Sequence, residues 1–206
     1  MLPLGLFRNR NFTIGNLATT TIYGGLSVAT FLVIVFVQQF GGYSAFKAGL
    51  VLLLPVTLIM FFLSGRFGTL AGKYGPRLFM TVGPIIGGLG FLLFLRVDAR
   101  VQYWTQIFPG VMVFGLGLSL IVAPLTMAIL GSIGSEHAGI ASAVNNAVSR
   151  IAGLIAIVLI GIITGTRLDL AGFHHGIIVM ALLLITGGVI SAIGIQNKAV
   201  KADEPT

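Results

Sequence analysis

Of 206 residues, 56% are hydrophobic and 8% charged, about a third of the charge density of a soluble domain, which excludes an ordinary water-soluble enzyme. The formal charge of +7 would suit a nucleic-acid binder, yet the twelve Lys and Arg sit mainly between apolar runs, as membrane topology signals do. The sequence has no cysteine, which excludes disulfides and thiolate metal sites.

A bilayer core about 30 Å thick needs about 20 consecutive, mostly apolar residues per helix, and Gly, Pro and charge divide the chain into six such runs. The opening MLPLGLFRNRNF places basic residues after a very short apolar stretch, the wrong order for a cleaved signal peptide. Residues 1–15 read as a cytoplasmic N-terminal segment, 16–196 as a six-helix transmembrane half-domain and 197–206 as a cytoplasmic tail. The spans fall at residues 17–38, 48–65, 78–95, 107–130, 137–164 and 176–195. The second contains Pro55 and the fourth Pro124, each a candidate helix kink because proline frees a carbonyl one turn back. Tyr103 and Trp104, just before the fourth span, fit an interfacial aromatic anchor. Hairpin-length connections imply antiparallel neighbours, and strands are not expected, since a barrel would show alternating segments of about ten residues.

Helices in lipid associate through small residues that let backbones approach. Gly110, Gly117, Pro124 and Gly131 recur along the fourth span, Gly83, Gly87 and Gly90 along the third, and Gly187, Ser191 and Gly194 along the sixth. One side of the membrane collects Arg8, Arg10, Arg66, Lys73, Arg77, Lys198 and Lys201, the other Lys47, Arg96, Arg100 and Arg167. Seven against four places both termini in the cytoplasm by the positive-inside rule.

The fifth span is amphipathic. At 100° per residue, Gly139, Ala143, Asn146, Arg150 and Gly153 share one face, with Ser142, Asn145 and Ser149 on the adjoining arc. Ile140, Val144, Val148, Ile151, Ile155, Val158 and Ile162 lie opposite, as if toward lipid. Arg150 stands about 15 residues, or ~22 Å, from the far end of its helix, so it lies inside the hydrocarbon, where a charge costs at least ~2.5 kcal/mol. It either snorkels to the interface or faces a wet, hydrogen-bonded cavity with Asn146.

Three stretches carry a family resemblance. GGYSAFKAGLVLLLP (41–55) is similar to a loop-and-helix segment of the major facilitator superfamily. GTLAGKYGPR (68–77) resembles its cytoplasmic loop motif G-x-L-A-D-R-x-G-R-K/R through Gly68, Leu70, Ala71, Gly75 and Arg77, with Lys73 in place of the first Arg. GLGLSLIVAPLTMAILGSI together with AGIASAVNNAVSRIAG is similar to the fourth and fifth helices of the family's second half. Over residues 7–165 the chain resembles the C-terminal six-helix half of such a transporter, most closely the fourteen-helix drug/proton antiporters. Gly72 replaces the motif's Asp, which puts a charged latch in doubt. GPIIGG (83–88) looks like an antiporter motif but directly follows the loop motif, a place that suits packing.

The resemblance implies an all-α membrane fold, one half built of three-plus-three repeats, with substrate held between two halves. It implies that the first, second, fourth and fifth helices line a cavity, making Thr20, Tyr23, Ser27, Asn145, Asn146 and Arg150 the candidate cavity residues, each with a helix–helix hydrogen bond as its alternative role. The implied function is proton-coupled, multidrug-type export of small amphipathic molecules across the cell membrane, with no enzymatic activity. The alternative is a truncated or split-gene membrane fragment that does not transport alone. The expected partners are the lipid bilayer, a small-molecule substrate, protons, and a second six-helix half (a missing N-terminal half or a homodimer), without nucleic acid. Asp98, Glu136, Asp169, Asp203 and Glu204 all fall in loops or the tail, so a coupling carboxylate would come from that second half. No His lies in mid-span to serve an intramembrane protease, and no cofactor or metal is expected.

Overall fold

The computed structural model describes residues 4–98, 100–130, 133, 135–164 and 168–197. Gly131, Arg167, Lys198, Lys201, Asp203 and Glu204 lie outside them. Six helices form: α1 (Arg10–Gly41), α2 (Ala45–Tyr74), α3 (Pro76–Leu92), α4 (Phe108–Leu130), α5 (Ala138–Thr164) and α6 (Leu170–Gly194). Each is part of a segment long and apolar enough to cross a membrane.

Local chemistry sets several of the helix ends. The Asn9, Ser44 and Asp169 side chains accept from Phe12, Lys47 and Gly172 N–H at 3.3, 3.3 and 2.6 Å, satisfying amides that have no helical acceptor. Gly42, at φ 63°, ends α1 in the left-handed region. Gly75 alone joins α2 to α3, at φ 87° and ψ 154°, a region essentially reserved for glycine, and Pro76 opens α3 where its missing N–H costs nothing.

Helix contacts follow an exchange pattern. α1 packs on α5 and α6, α4 packs on α2 and α3, and α3 meets α6 in the middle. Exchanging α1–α3 with α4–α6 reproduces the same set of pairs, as a three-plus-three repeat requires. Arg10 at the start of α1 bonds the Gly194 carbonyl at the end of α6, so both lie on one face of the bundle, here the terminal face. The opposite end is the far face.

The α3–α4 seam is nearly backbone on backbone. A Cβ added to Gly90 would stand 2.6 Å from the Phe114 nitrogen, and one on Gly83 would stand 3.0 Å from the Gly117 carbonyl. The α6 stripe meets α1 instead, with Gly187 against Ile22 and Gly194 against Ile14. Small residues thus replace the hydrophobic drive that lipid removes. Gly83 and Gly88 of the GPIIGG stretch are used in the same way, toward α4 and α6.

α2 and α4 continue through Pro55 and Pro124. Without an N–H, Pro55 leaves the Val51 carbonyl with no helical donor. The Tyr103 hydroxyl donates to that oxygen at 2.9 Å, so Tyr103, expected from the sequence to be an interfacial aromatic, ties the turn before α4 to α2. It belongs to a π-helical turn, Tyr103–Ile107, that leads into α4.

Candidate functional site

The α1–α5 seam holds a hydrogen-bonded cluster of polar side chains. Asn145 donates to Thr19 Oγ1 at 2.8 Å and to Asn16 Oδ1 at 3.2 Å. Thr19 is fully buried and Asn16 nearly so. Each is anchored in turn on α1, Asn16 to the Phe12 carbonyl and Thr19 to the Gly15 carbonyl, both at 2.8 Å. Every buried side-chain N and O among the described residues has a partner, as low-dielectric surroundings demand. Asn145 is therefore a helix–helix bond. Asn16 and Thr19, its partners, were not among the sequence candidates, although an Asn one turn before Thr20 in an apolar helix was a visible signal.

The packed arc of α5 differs from the one its amphipathicity suggests. Ala141, Ala152, Gly153 and Ile160 are buried, and Val144, Asn145, Val148 and Ala156 are half-buried. Val144 and Val148, read as lipid-facing, thus belong to the seam. Small and β-branched residues let α5 come close to Gly24 of α1, where an added Cβ would meet that of Ala156 at 3.5 Å. Ile151, Ile155, Val158 and Ile162 remain exposed. Asn146 and Arg150 lie on the exposed arc beside the seam, joined by a 3.3 Å hydrogen bond from Arg150 Nε to Asn146 Oδ1. Adjacent in sequence, Asn145 and Asn146 do different things.

The α1 candidates also divide. Thr20 is exposed and donates to the Asn16 carbonyl at 3.0 Å, beside an apolar groove between α1, α5 and α6. Tyr23 is half-buried. Ser27 packs against Gly153 and lines an open recess of about 610 Å³ with Leu26, Thr30, Phe31, Ile34 and Val35. This recess occupies the far half of α1. α2 and α5 are the least enclosed of the six helices.

The loop motif turns out to be mostly helix. Gly68 to Lys73 are the last turns of α2, because nothing between Gly65 and Gly75 breaks the helix. Its small residues pack α2 on α4: an added Cβ on Gly68 would meet that of Ala123 at 3.2 Å, and Ala71 is buried with Phe79 and Leu120. Leu70 is exposed, and Lys73 lies over the Tyr74 ring at 5.3 Å. Gly72 faces Met127. Arg77 does work that the sequence did not suggest: its Nε donates to the Ala192 carbonyl of α6 at 2.9 Å, and its N–H to Asn197 Oδ1 at 3.2 Å. Asn197 Nδ2 donates to the Tyr74 carbonyl at 3.2 Å. From the other side Arg10 bonds the Gly194 and Ile193 carbonyls, and Asn11 pairs reciprocally with the Gln196 backbone. Two guanidiniums thus cap the negative end of α6 and clasp it to the starts of α1 and α3.

No protein-family model matches the chain. It is 30% identical over 168 residues to the methylenomycin A resistance protein of Bacillus subtilis, covering 79% of this chain and 35% of that protein. It is 28% identical over 167 residues to the multidrug transporter protein MdtP of the same organism, covering 81% and 30%. Against EfpA of Mycobacterium tuberculosis, an uncharacterized MFS-type transporter, identity is 29% over 180 residues, covering 84% and 33%. The chain spans about a third of the length of these relatives. The resemblance carried by the sequence holds: this multi-pass membrane chain is a homologue of MFS-type and multidrug transporters, and it folds as one six-helix half of a major facilitator superfamily fold.

Proposed function

We propose that the chain is half of a secondary transporter that exports small amphipathic molecules against protons. The observation that carries this reading is the open recess on the far half of α1, in a bundle whose α2 and α5 are the least enclosed helices. A second half set against these helices would turn the recess into a passage, with Ser27 and Thr30 in its wall and Asn146 and Arg150 at its terminal end. The relatives' names, drug resistance and multidrug transport, support a small-molecule substrate. The terminal face is cytoplasmic in this reading, by the excess of basic residues there. The coupling carboxylate and the second half come from outside this chain; a second copy would repeat the same surface and bring no acid in mid-span.

A second reading is favoured by one fact, the chain's span of about a third of its relatives: a membrane-embedded fragment that does not transport by itself. Efflux of a fluorescent amphipathic dye separates the two. Cells expressing this chain are compared with and without a protonophore, and beside an Arg150→Ala variant. Protonophore-sensitive efflux that falls in the variant supports the transporter. No efflux despite confirmed insertion supports the fragment.

A further inference from the structure

We propose that the far half of α2 is a hinged gate, pivoting at Pro55 and held by the Tyr103 hydroxyl on the Val51 carbonyl. Three observations meet at this point. First, Pro55 removes the donor that would hold Val51, and a phenol from another helix supplies it at 2.9 Å. Releasing Tyr103 leaves that oxygen without a protein donor unless the helix rearranges around Pro55.

Second, this half of α2 is held along one face only. Ala48 and Leu52 are buried, but Phe46 is 81% exposed, and Leu50, Leu53 and Leu54 are also exposed. Third, there is room to move. A cavity of about 130 Å³ lies beside the pivot, lined by Leu52, Leu53 and Val56 of α2 and by Leu26 and Thr30 of α1. A helix with a freed carbonyl, packing on one face only and an adjacent void is built to bend there, and proline is where sharp bends occur.

Leu26 and Thr30 line both this void and the open recess on α1. A swing of α2 into the void brings it toward Leu26 and Thr30, the residues that the void shares with the recess, and Tyr103 holds it back from them. The gating of a passage rests on the reading of the recess proposed above; the hinge itself does not. Phe46 is nine residues from Pro55, a lever of ~14 Å at 1.5 Å per residue, so a ~20° change of bend moves it by about 5 Å.

The cysteine-free chain suits a distance measurement. Spin labels at Phe46→Cys on α2 and Val158→Cys on α5, both exposed positions, are followed by double electron–electron resonance in lipid nanodiscs. The intact latch gives one distance; Tyr103→Phe adds a second population displaced by about 5 Å. Pro55→Ala restores a backbone donor to Val51, and in that background Tyr103→Phe has no effect. The proposal is overturned if Tyr103→Phe leaves the distribution unchanged. It is equally overturned if the change is as large with alanine at position 55, which would make the ring's packing on Trp104 and Phe108 the cause. The readout involves no transport, so it stands or falls apart from the efflux experiment.

Discussion

Replacing Asn145 by alanine removes the one donor that serves both Asn16 and Thr19 across the α1–α5 seam. Both acceptors stay buried, and Asn16 Oδ1 loses the bond it accepts. Side-chain hydrogen bonds between membrane helices contribute about 0.6 kcal/mol on average and up to ~1.7. With a 2.8 Å contact, a second acceptor and buried partners, the loss belongs in the upper part of that range, about 1–1.7 kcal/mol. The equilibrium constant for unfolding then rises by roughly 5- to 20-fold. Asn146→Ala is the matched control. Its side chain is exposed and touches Arg150 at 3.3 Å, so its loss stays within ~0.5 kcal/mol. Unfolding in mixed micelles, followed by far-ultraviolet circular dichroism, reads both variants. Equal losses, or a larger one for Asn146, would place the wrong arc of α5 against α1.

Gly90→Leu drives a side chain into the Phe114 backbone, and the variant should lose the folded bundle by protease resistance in membranes, whereas Gly49→Leu, with open space around its Cα, should not. Gly75→Ala carries the strain of an essentially glycine-only conformation and a clash with Asn197; a cost of about 1–3 kcal/mol should appear in the same micelle unfolding measurement. Arg77→Gln weakens one of the two caps on α6, so amide exchange at residues 190–197 should accelerate while that of α4 stays unchanged.

The six spans were legible because a bilayer imposes a length of apolar sequence, and their helices formed where those runs lie. The ends were less legible. α2 continues past residue 65 to Tyr74 because a helix outlasts its apolar run until Gly75 stops it. α6 begins at Leu170, before residue 176, because Asp169 caps it and two histidines do not break a helix. α1 starts at Arg10, within the segment expected to precede the bundle, since Asn9 caps it there. The glycine stripes predicted close approach correctly but could not name partners, which only the assembled bundle supplies. The same limit separated Asn145 from Asn146: helical phase puts them on adjoining arcs, and only the line along which α1 crosses α5 decides which one is enclosed. Tyr103 shows the converse. In the sequence its phenol suggests an interfacial anchor, while the carbonyl that Pro55 frees is a demand for a donor with no partner named.

The central claim is that the face formed by the α1 recess lines an aqueous passage. The measurement that tests it most directly is thiol labelling of single cysteines placed at Thr30 and Leu182, introduced at the gene's own locus so that whatever completes the transporter is present. Thr30 lines the recess, whereas Leu182 is exposed on α6, away from it. The account predicts that a membrane-impermeant maleimide reacts with the cysteine at position 30 and not with the one at 182. Protection of both, with insertion confirmed, would put the recess in lipid or in a dry interface and contradict the account.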